Sequence, residues 1–396
     1  MSRTLACQVS PGEVWAALEE EGELIGLRVA RDGDADVVGG VFLGRIVALR
    51  PELPAALVDI GLDRPGFLDA RDVDRKRGIE GLTEGQALIV EVAKAARADK
   101  AAGLRVLRAA DTRREAFEKA ARDATPPARL DPPEPAILRA AKLLLSGDIE
   151  RILVDERGAL MALRRAHPEL AERLAFHGDD TPLFETLGIA EQIDAVLQPR
   201  VPLPGGGAIF IEASHAATMI DVDGGTRGAL AANRAAGVAI ARQIGLRNLA
   251  GPIVIDFVGM KSREDRDKVT AALKTALADN NEKVELLGWT KLGHFELIRP
   301  RREPPLADML FEQAADGAMR KTALTLALEA LRTVAREVAA RPGKGFALAV
   351  HPDIAAALDQ GAGEAARHWL EARLGRKLAV TAEPQRARDA IDIRAA

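Results

Sequence analysis

The chain has 396 residues, 47% of them hydrophobic and 29% charged, so its composition excludes a disordered or fibrous protein and its length predicts two or three domains. Its formal net charge of −4 lacks the basic excess of many nucleic-acid binders, although an average charge does not exclude a local basic patch. A single cysteine, Cys7, excludes internal disulfides and multi-cysteine metal sites, and the lack of long apolar runs predicts a cytoplasmic protein with no membrane partner.

Short runs of alternating apolar and polar residues dominate the N-terminal part of the chain. Residues 3–30 are predicted to form two strands with a turn at Glu20–Gly22. Further strands are expected at Val41–Arg50, Ala56–Ile60, Gly66–Leu68 and Ala87–Val92. Such closely spaced short strands are typical of a small barrel or sandwich.

Helices and strands alternate in the rest of the chain. Thr112–Asp123 predicts a helix, and five prolines make Thr125–Pro135 an extended connector. The other predicted helices are Ile137–Leu145, Ala229–Ile244, a helix capped by Ser262, Ala307–Ala340, Ile354–Leu358 and Ala365–Leu374. The other predicted strands are Ile149–Val154, Ala208–Glu212, Ala217–Val222, Gly251–Val258, Val284–Leu287, Phe295–Ile298, Phe346–Val350 and Leu378–Ala382. The near-continuous apolar run Gly251–Val258 indicates a fully buried strand.

Two of the predicted strands end in aspartate. One contains Ile220-Asp221-Val222-Asp223 and the other Ile255-Asp256-Phe257. In open α/β sheets, chemistry gathers at the carboxyl ends of strands, and two carboxylates there suit Mg²⁺, which takes oxygen ligands and keeps several waters. Because such an ion polarises a phosphodiester and supplies a hydroxide nucleophile, Asp221 and Asp256 are candidate metal ligands.

Each of these features also has a purely structural explanation. An aspartate after a strand commonly forms a turn or caps a helix. Asp256 is harder to explain in this way, because an unpaired carboxylate within an apolar run is costly and needs a metal or an arginine as a partner. The turn Leu203–Gly207 lacks the spacing and the Lys of a P-loop and precedes a strand, which favours a structural turn over a phosphate cradle.

Several motifs together resemble the ribonuclease E/G family. They are Gly44-Arg45-Ile46, Gly66-Phe67-Leu68, Leu203–Gly207 leading to Ile220-Asp221-Val222-Asp223, Ala241–Leu249 leading to Val254-Ile255-Asp256-Phe257, and Gly293-His294-Phe295-Glu296 with Arg299 and Arg301. The resemblance runs in order from about residue 5 to residue 302. Ordered motifs of this number are far more specific than any one of them.

The resemblance implies an α/β fold, with a ribonuclease H-like catalytic domain, an inserted OB-fold RNA-binding β-barrel and a small C-terminal α/β appendage. The segments that correspond to these parts are 1–36 (N-terminal part of the ribonuclease H-like domain), 37–105 (OB-fold), 106–200 (helical connector and remainder of the ribonuclease H-like region), 201–304 (catalytic metal-binding core) and 305–396 (helix and small α/β domain). The implied activity is endonucleolytic cleavage of single-stranded RNA, leaving 5′-phosphate and 3′-hydroxyl ends.

The resemblance also implies a catalytic set. Asp221 and Asp256 fall on the family's two magnesium-binding aspartates, and Asp223 falls where an Asn usually orients the first of them. Arg299 or Arg301 is expected to bind RNA by neutralising phosphate.

Further RNA contacts are expected on the OB-fold. Phe67 and Lys100 fall on RNA-contacting positions, and Arg45 and Phe42 are candidates in the same barrel, where bases of a single strand stack on aromatic rings. Leu57 stands where the family usually has a Phe, so one stacking ring is missing.

Other departures from the family's sequence pattern bear on assembly, on recognition of the RNA 5′ end and on catalysis. Gly259 replaces a frequent second acidic residue, and no Cys-Pro-x-Cys zinc-sharing motif follows Arg301, so we expect no zinc-linked assembly and leave a homodimer open. The segment between Lys100 and Asp148 is short and lacks the Arg-Thr pair that reads a 5′-monophosphate. The missing elements favour an RNA-binding protein with weak or no catalysis, whereas the aspartate pair favours a magnesium-dependent endoribonuclease, which is the leading hypothesis.

Overall fold

The computed structural model describes residues 3–32, 37–62, 64–73, 78–94, 101–107, 111–132, 134–145, 148–214, 216–279, 283–301, 303–314, 316–341 and 345–395. The chain divides into two compact units, of which the first comprises Met1–Gly33 with Pro135–Ala396 and the second is Asp34–Glu134. Within the described ranges, no helix is both long and apolar enough to cross a membrane.

The first unit begins with three antiparallel strands. These are β1 (Arg3–Ser10), β2 (Glu13–Glu20) and β3 (Glu23–Arg31). The prediction of two strands in this segment was wrong, because a tight turn at Pro11-Gly12 divides it a second time. Gly12 adopts a φ of 75°, which glycine tolerates without strain.

The second unit is a closed barrel. Its elements are β4 (Val41–Arg50), β5 (Ala55–Asp59), β6 (Gly66–Asp69), α1 (Ala70–Val73), β7 (Ala87–Lys94), β8 (Gly103–Val106), α2 (Arg114–Arg122) and β9 (Ala128–Arg129). Strands β4 to β8 form a ring, because β5 pairs with both β4 and β6 while β8 and β7 complete the circuit. The four predicted strands are confirmed, but β8 and β9 were missed; β9 pairs with β4 inside the proline-rich connector.

The first sheet is completed by strands that follow the barrel in sequence. The elements are α3 (Ala136–Lys142), β10 (Arg151–Val154), α4 (Arg157–Ala166), a 3₁₀ helix (Pro168–Arg173), β11 (Leu174–Phe176), α5 (Leu183–Thr186) and α6 (Ala190–Val196). Strand β10 lies parallel to β1, so the order is β11-β10-β1-β2-β3. Alternate residues of β1 pack on opposite faces, with Leu5 against α3 and α4 and Ala6 against α5 and α6.

The predicted aspartates lie on a second sheet of the first unit. The elements are β12 (Arg200–Pro202), β13 (Ala208–Ala213), β14 (Thr218–Asp223), α7 (Ala229–Leu246), β15 (Gly251–Asp256), α8 (Arg263–Asp279), β16 (Glu285–Trp289) and β17 (Phe295–Arg299). The strand order is β12-β13-β14-β15-β17-β16, with β14 and β15 parallel. Ile220, Val222, Ile253 and Ile255 point to one face and pack with residues of α7 and α8.

The C-terminal part differs from its prediction in the helix Ala307–Ala340 and in a last strand, Asp392–Ala395, that was not predicted. The elements are α9 (Leu306–Leu310), β18 (Phe311–Gln313), β19 (Met319–Lys321), α10 (Ala323–Ala340), β20 (Phe346–Val350), α11 (Pro352–Leu358), α12 (Gly361–Leu374), β21 (Ala379–Ala382) and β22 (Asp392–Ala395). The predicted helix Ala307–Ala340 is interrupted by the hairpin β18–β19, and α10 starts afresh where Thr322 Oγ1 accepts a hydrogen bond from the Thr325 N–H.

A buried ion-pair network joins the first sheet to α10. The side chains of Arg31 and Glu13 are 3% and 2% exposed and lie 3.3 Å apart, and Arg332 Nη1 lies 3.2 Å from the other oxygen of Glu13. Arg31 also donates to Thr325 Oγ1 at 2.9 Å. Because both oxygens of the buried Glu13 are paired, the network fixes how α10 docks, and loss of Glu13 would leave the buried Arg31 without its carboxylate.

A second partly buried carboxylate lies at the end of β10. Asp155 Oδ1 accepts a hydrogen bond from the Val9 N–H at 2.8 Å. Burial raises the pKa of Asp155 to about 6, although the Val9 N–H and the charge of His177 act to lower it. The folded chain therefore holds the proton of Asp155 more tightly than the unfolded chain does.

This pKa shift predicts a pH-dependent effect of Asp155→Asn on stability. The stabilisation from the proton is fully present below about pH 4 and is lost as the pH rises through about 6. Asn keeps an oxygen for the Val9 N–H and has no charge to bury, so the variant should melt above the wild type near pH 7.5, with the difference vanishing towards pH 4. Thermal melts across this range, with the exposed Asp194→Asn as control, measure it. A difference that is the same at every pH would contradict the assignment.

Candidate active site

Asp221 and Asp256 lie side by side. The parallel register of β14 and β15 places Asp221 opposite Asp256, and neighbouring strands are about 4.8 Å apart. Both side chains project from the face opposite α7 and α8, since Ile220 and Ile255 next to them in sequence are buried against those helices. The structure thus brings together the two aspartates that the sequence singled out.

The face that carries them is open to solvent. Glu212, Met219 and Asp223 on the same face are exposed, and the side chain of Asp256 is 56% exposed. The prediction that Gly251–Val258 forms a fully buried strand was wrong, because only alternate residues of β15 are buried. Asp256 therefore needs no partner to offset burial. Its apolar neighbours in the sequence, Ile255 and Phe257, face the helices α7 and α8.

Asp223 lies at the site and also stabilises a turn. It lies two residues after Asp221 on the same face, and its Oδ1 accepts a hydrogen bond from the Gly225 N–H at 2.9 Å. This bond forms the turn that ends β14, as the structural alternative proposed.

His294 belongs to the site, although no role was predicted for it from the sequence. It ends the tip of the β16–β17 hairpin, where the Thr290 N–H donates to the His294 carbonyl at 2.8 Å. Its Nε2 lies 3.9 Å from Asp256 Oδ2. Gly293-His294 belongs to the family motif Gly293-His294-Phe295-Glu296, but the proximity of His294 to Asp256 depends on the β15–β17 pairing, which the motif alone does not reveal.

Buried groups hold the segment after Asp256 in place. Asn233 of α7 is fully buried, donates to the Val258 carbonyl at 2.7 Å and accepts from the Val258 N–H at 2.9 Å. Phe257 packs against Trp289 and Phe295, with ring centroids 5.5 and 6.4 Å away. The backbone that presents Asp256 is therefore fixed from the covered side of the sheet.

The glycine-rich segment Leu203–Gly207 is a hairpin turn between β12 and β13, as predicted. Leu203 and Gly207 are joined by a backbone hydrogen bond of 3.1 Å, and Gly205, Gly206 and Gly207 have φ values of 80°, 106° and 84°. A side chain at Gly207 would collide with the carbonyl oxygen of Asp223. The turn therefore packs directly on the end of β14.

Arg299 and Arg301 do not reach the aspartates. Strand β17 runs antiparallel to β15, so Arg299 lies opposite Gly251, five residues or about 17 Å from Asp256. Its Nη1 donates to Asn248 Oδ1 at 2.8 Å and to the Leu249 carbonyl at 2.9 Å. Arg301 packs over Gly251 at the same end. Neither arginine therefore lies beside the aspartates, and the expectation that one of them binds RNA phosphate stays a prediction.

The segment that contains this sheet matches the ribonuclease E/G family, whose model covers residues 75–302. The chain belongs to the ribonuclease E/G family. Ribonuclease G of Haemophilus influenzae is 26% identical, over 84% of this chain and 87% of that protein. Ribonuclease G of Escherichia coli K12 is 25% identical over 99% of both chains, and ribonuclease E of the same strain is 26% identical over 78% of this chain and 38% of its own length.

The side chains that were expected to bind RNA on the barrel differ in exposure. Phe67 is half-buried and lies opposite Leu57 on the outer side of the barrel, and Arg45 is exposed on β4. Phe42 is only 5% exposed in the barrel core, with the Arg129 guanidinium 5.5 Å from its ring centroid, so its ring has no free face for a base. Lys100 lies outside the described residues.

The donor set at the aspartates suits one hard cation. In the described part of the chain, no group of three or more His, Cys, Asp or Glu side chains could hold a metal ion by itself. Two neighbouring, solvent-exposed carboxylates match the habit of Mg²⁺, which keeps several waters and binds through one or two carboxylates together with phosphate oxygens.

Proposed function

We propose that this chain is a magnesium-dependent endoribonuclease that cuts single-stranded RNA by hydrolysis, leaving 5′-phosphate and 3′-hydroxyl ends. Its family and its relatives named ribonuclease G and ribonuclease E make it an endoribonuclease, which is a hydrolase. The observation that carries the finer proposal is the parallel register that places Asp221 beside Asp256.

The residues of the open face have distinct tasks in this proposal. Asp221 and Asp256 hold Mg²⁺ between them, while Asp223 adds negative charge at the end of β14. When bound, the ion polarises the phosphodiester and lowers the pKa of a coordinated water. Because the aspartates lie on an exposed sheet face, an internal phosphodiester of a long strand can reach them without threading an end into a pocket.

In this proposal, the barrel and the two large sheets of the first unit also have separate roles. The five-strand closed barrel serves as the OB-fold that binds RNA, with Phe67 and Arg45 on its outer side. The sheet β11-β10-β1-β2-β3, an antiparallel meander followed by two parallel strands, is the ribonuclease H-like part. The ribonuclease H-like domain itself was expected from the sequence to be catalytic. Because Asp221 and Asp256 lie on the separate six-stranded sheet, we assign catalysis to that sheet and a supporting role to the ribonuclease H-like part.

Cleavage of a fluorescent single-stranded RNA tests the proposed function. Wild-type protein should cut it with Mg²⁺ and not with EDTA, and Asp221→Asn or Asp256→Asn should each reduce the rate by about 100-fold or more, equivalent to about 2.7 kcal/mol of barrier. Asp267→Asn makes the same change at an exposed position of α8 and is the matched control. Unchanged rates in both site variants would refute the proposed site. RNA binding by the wild type without any cleavage would support the non-catalytic alternative.

Insensitivity to the 5′ end is a second expected property. Terminal phosphate recognition needs convergent free donors, typically an arginine fork. Arg105 lies 2.9 Å from Glu91, and Arg113 lies 2.8 Å from Asp111 and holds the pKa of that carboxyl at about 2, so both guanidinium groups are already paired. Initial cleavage rates on 5′-monophosphate and 5′-hydroxyl RNA should therefore agree. A preference of about tenfold, or about 1.4 kcal/mol, would show that another pocket senses the end.

A further inference from the structure

The site needs a positive charge that the expected arginines do not supply. The carboxylates of Glu212, Asp221, Asp223 and Asp256 lie on the face that would receive an anionic substrate. Arg299, in contrast, is held at the opposite end of the sheet by Asn248 and Leu249. A phosphodiester chain is bound mainly through arginine, lysine and backbone donors. A cation that serves this site is expected among the elements that meet at the carboxyl ends of β14 and β15.

Arg227 lies at this edge. It follows Asp223 by four residues in the turn before α7, where its N–H donates to the Gly224 carbonyl at 3.2 Å. Its guanidinium packs on Gly205, since a Cβ built there would lie 2.6 Å from Nη2 and 2.9 Å from Cζ. The turn that contains Gly205 also packs on the end of β14, through Gly207.

The guanidinium of Arg227 has no hydrogen-bond acceptor or ion-pair partner within the described residues, and its Nη1 is buried without one. A guanidinium carries five N–H donors and no acceptor, so one that is unpaired in the described chain keeps donors for a ligand. The side chain as a whole is only partly buried, so a ligand can reach it.

We propose that Arg227 binds a phosphate of the RNA strand next to the scissile bond, with Gly205 as the residue that leaves room for its guanidinium. This inference rests on the proposed function, because it assigns the substrate chemistry of the same site. A guanidinium offers a planar fork that matches phosphate oxygens, and a neighbouring phosphate held there positions the strand over Asp221 and Asp256. A lysine keeps the charge but loses the fork.

Binding of a fluorescein-labelled single-stranded oligoribonucleotide, measured in EDTA so that no cleavage occurs, tests the inference. Arg227→Ala should weaken binding about tenfold and reduce the slope of log affinity against log salt by about 0.7, the value for one phosphate contact to a single strand. Arg227→Lys should keep the slope while weakening binding. Arg336→Ala, which removes an exposed arginine of α10, should change neither quantity.

A pair of glycine variants provides a test that leaves Arg227 itself in place. Gly205 and Gly206 both have positive φ, so alanine strains the turn at either position, but only a Cβ at Gly205 meets the guanidinium. Gly205→Ala should therefore displace the guanidinium and weaken RNA binding while keeping the salt slope, because the charge remains, whereas Gly206→Ala should not weaken binding. This pair decides the matter if Arg227→Ala does not fold.

Wild-type affinity in Arg227→Ala and Gly205→Ala, together with a wild-type salt slope in Arg227→Ala, would overturn the inference and make Arg227 a structural residue. That result is distinguishable from failure of the proposed function. If Asp221→Asn and Asp256→Asn abolish cleavage while Arg227→Ala binds RNA normally, only the inference fails. If the aspartate variants still cleave, the proposed site fails whatever Arg227 does.

Discussion

The pairing of β14 with β15 is the interaction on which the site depends. A shift of one residue in this register would turn one of the two aspartates to the face covered by α7 and α8. Ile220 and Val222 on one strand, and Ile253 and Ile255 on the other, oppose such a shift because it would expose them. The hydrophobic core under the sheet therefore determines the geometry of the polar site above it.

Much of this arrangement could be predicted from the alternation of apolar and acidic residues. Strands ending at Asp221 and Asp256 follow from their apolar runs, and the resemblance to the family indicated that the two ends belong together. Arg299 lies far from the aspartates because β17 runs antiparallel to β15, a direction that the sequence does not reveal. The same pairing brings His294 to Asp256, which no local pattern reveals.

Errors elsewhere have equally local causes. The turn Pro11-Gly12 was overlooked because both flanking segments are apolar, and the hairpin within 307–340 because its strands are only three residues long. Phe42 was counted among aromatics for stacking, but barrel strands alternate inward and outward, and Phe42 shares the inward side with Ile46. On the outer side, Phe67 lies opposite Leu57, so the barrel offers one ring where its family usually has two.

The central claim is that Asp221 and Asp256 jointly hold one divalent cation. Titration with Mn²⁺, a paramagnetic substitute for Mg²⁺, followed by electron paramagnetic resonance measures this without any RNA or cleavage. The account predicts one site in the wild type and in Asp267→Asn, with affinity reduced at least about tenfold, or about 1.4 kcal/mol, in Asp221→Asn and in Asp256→Asn. Wild-type Mn²⁺ affinity in either site variant would contradict a shared site.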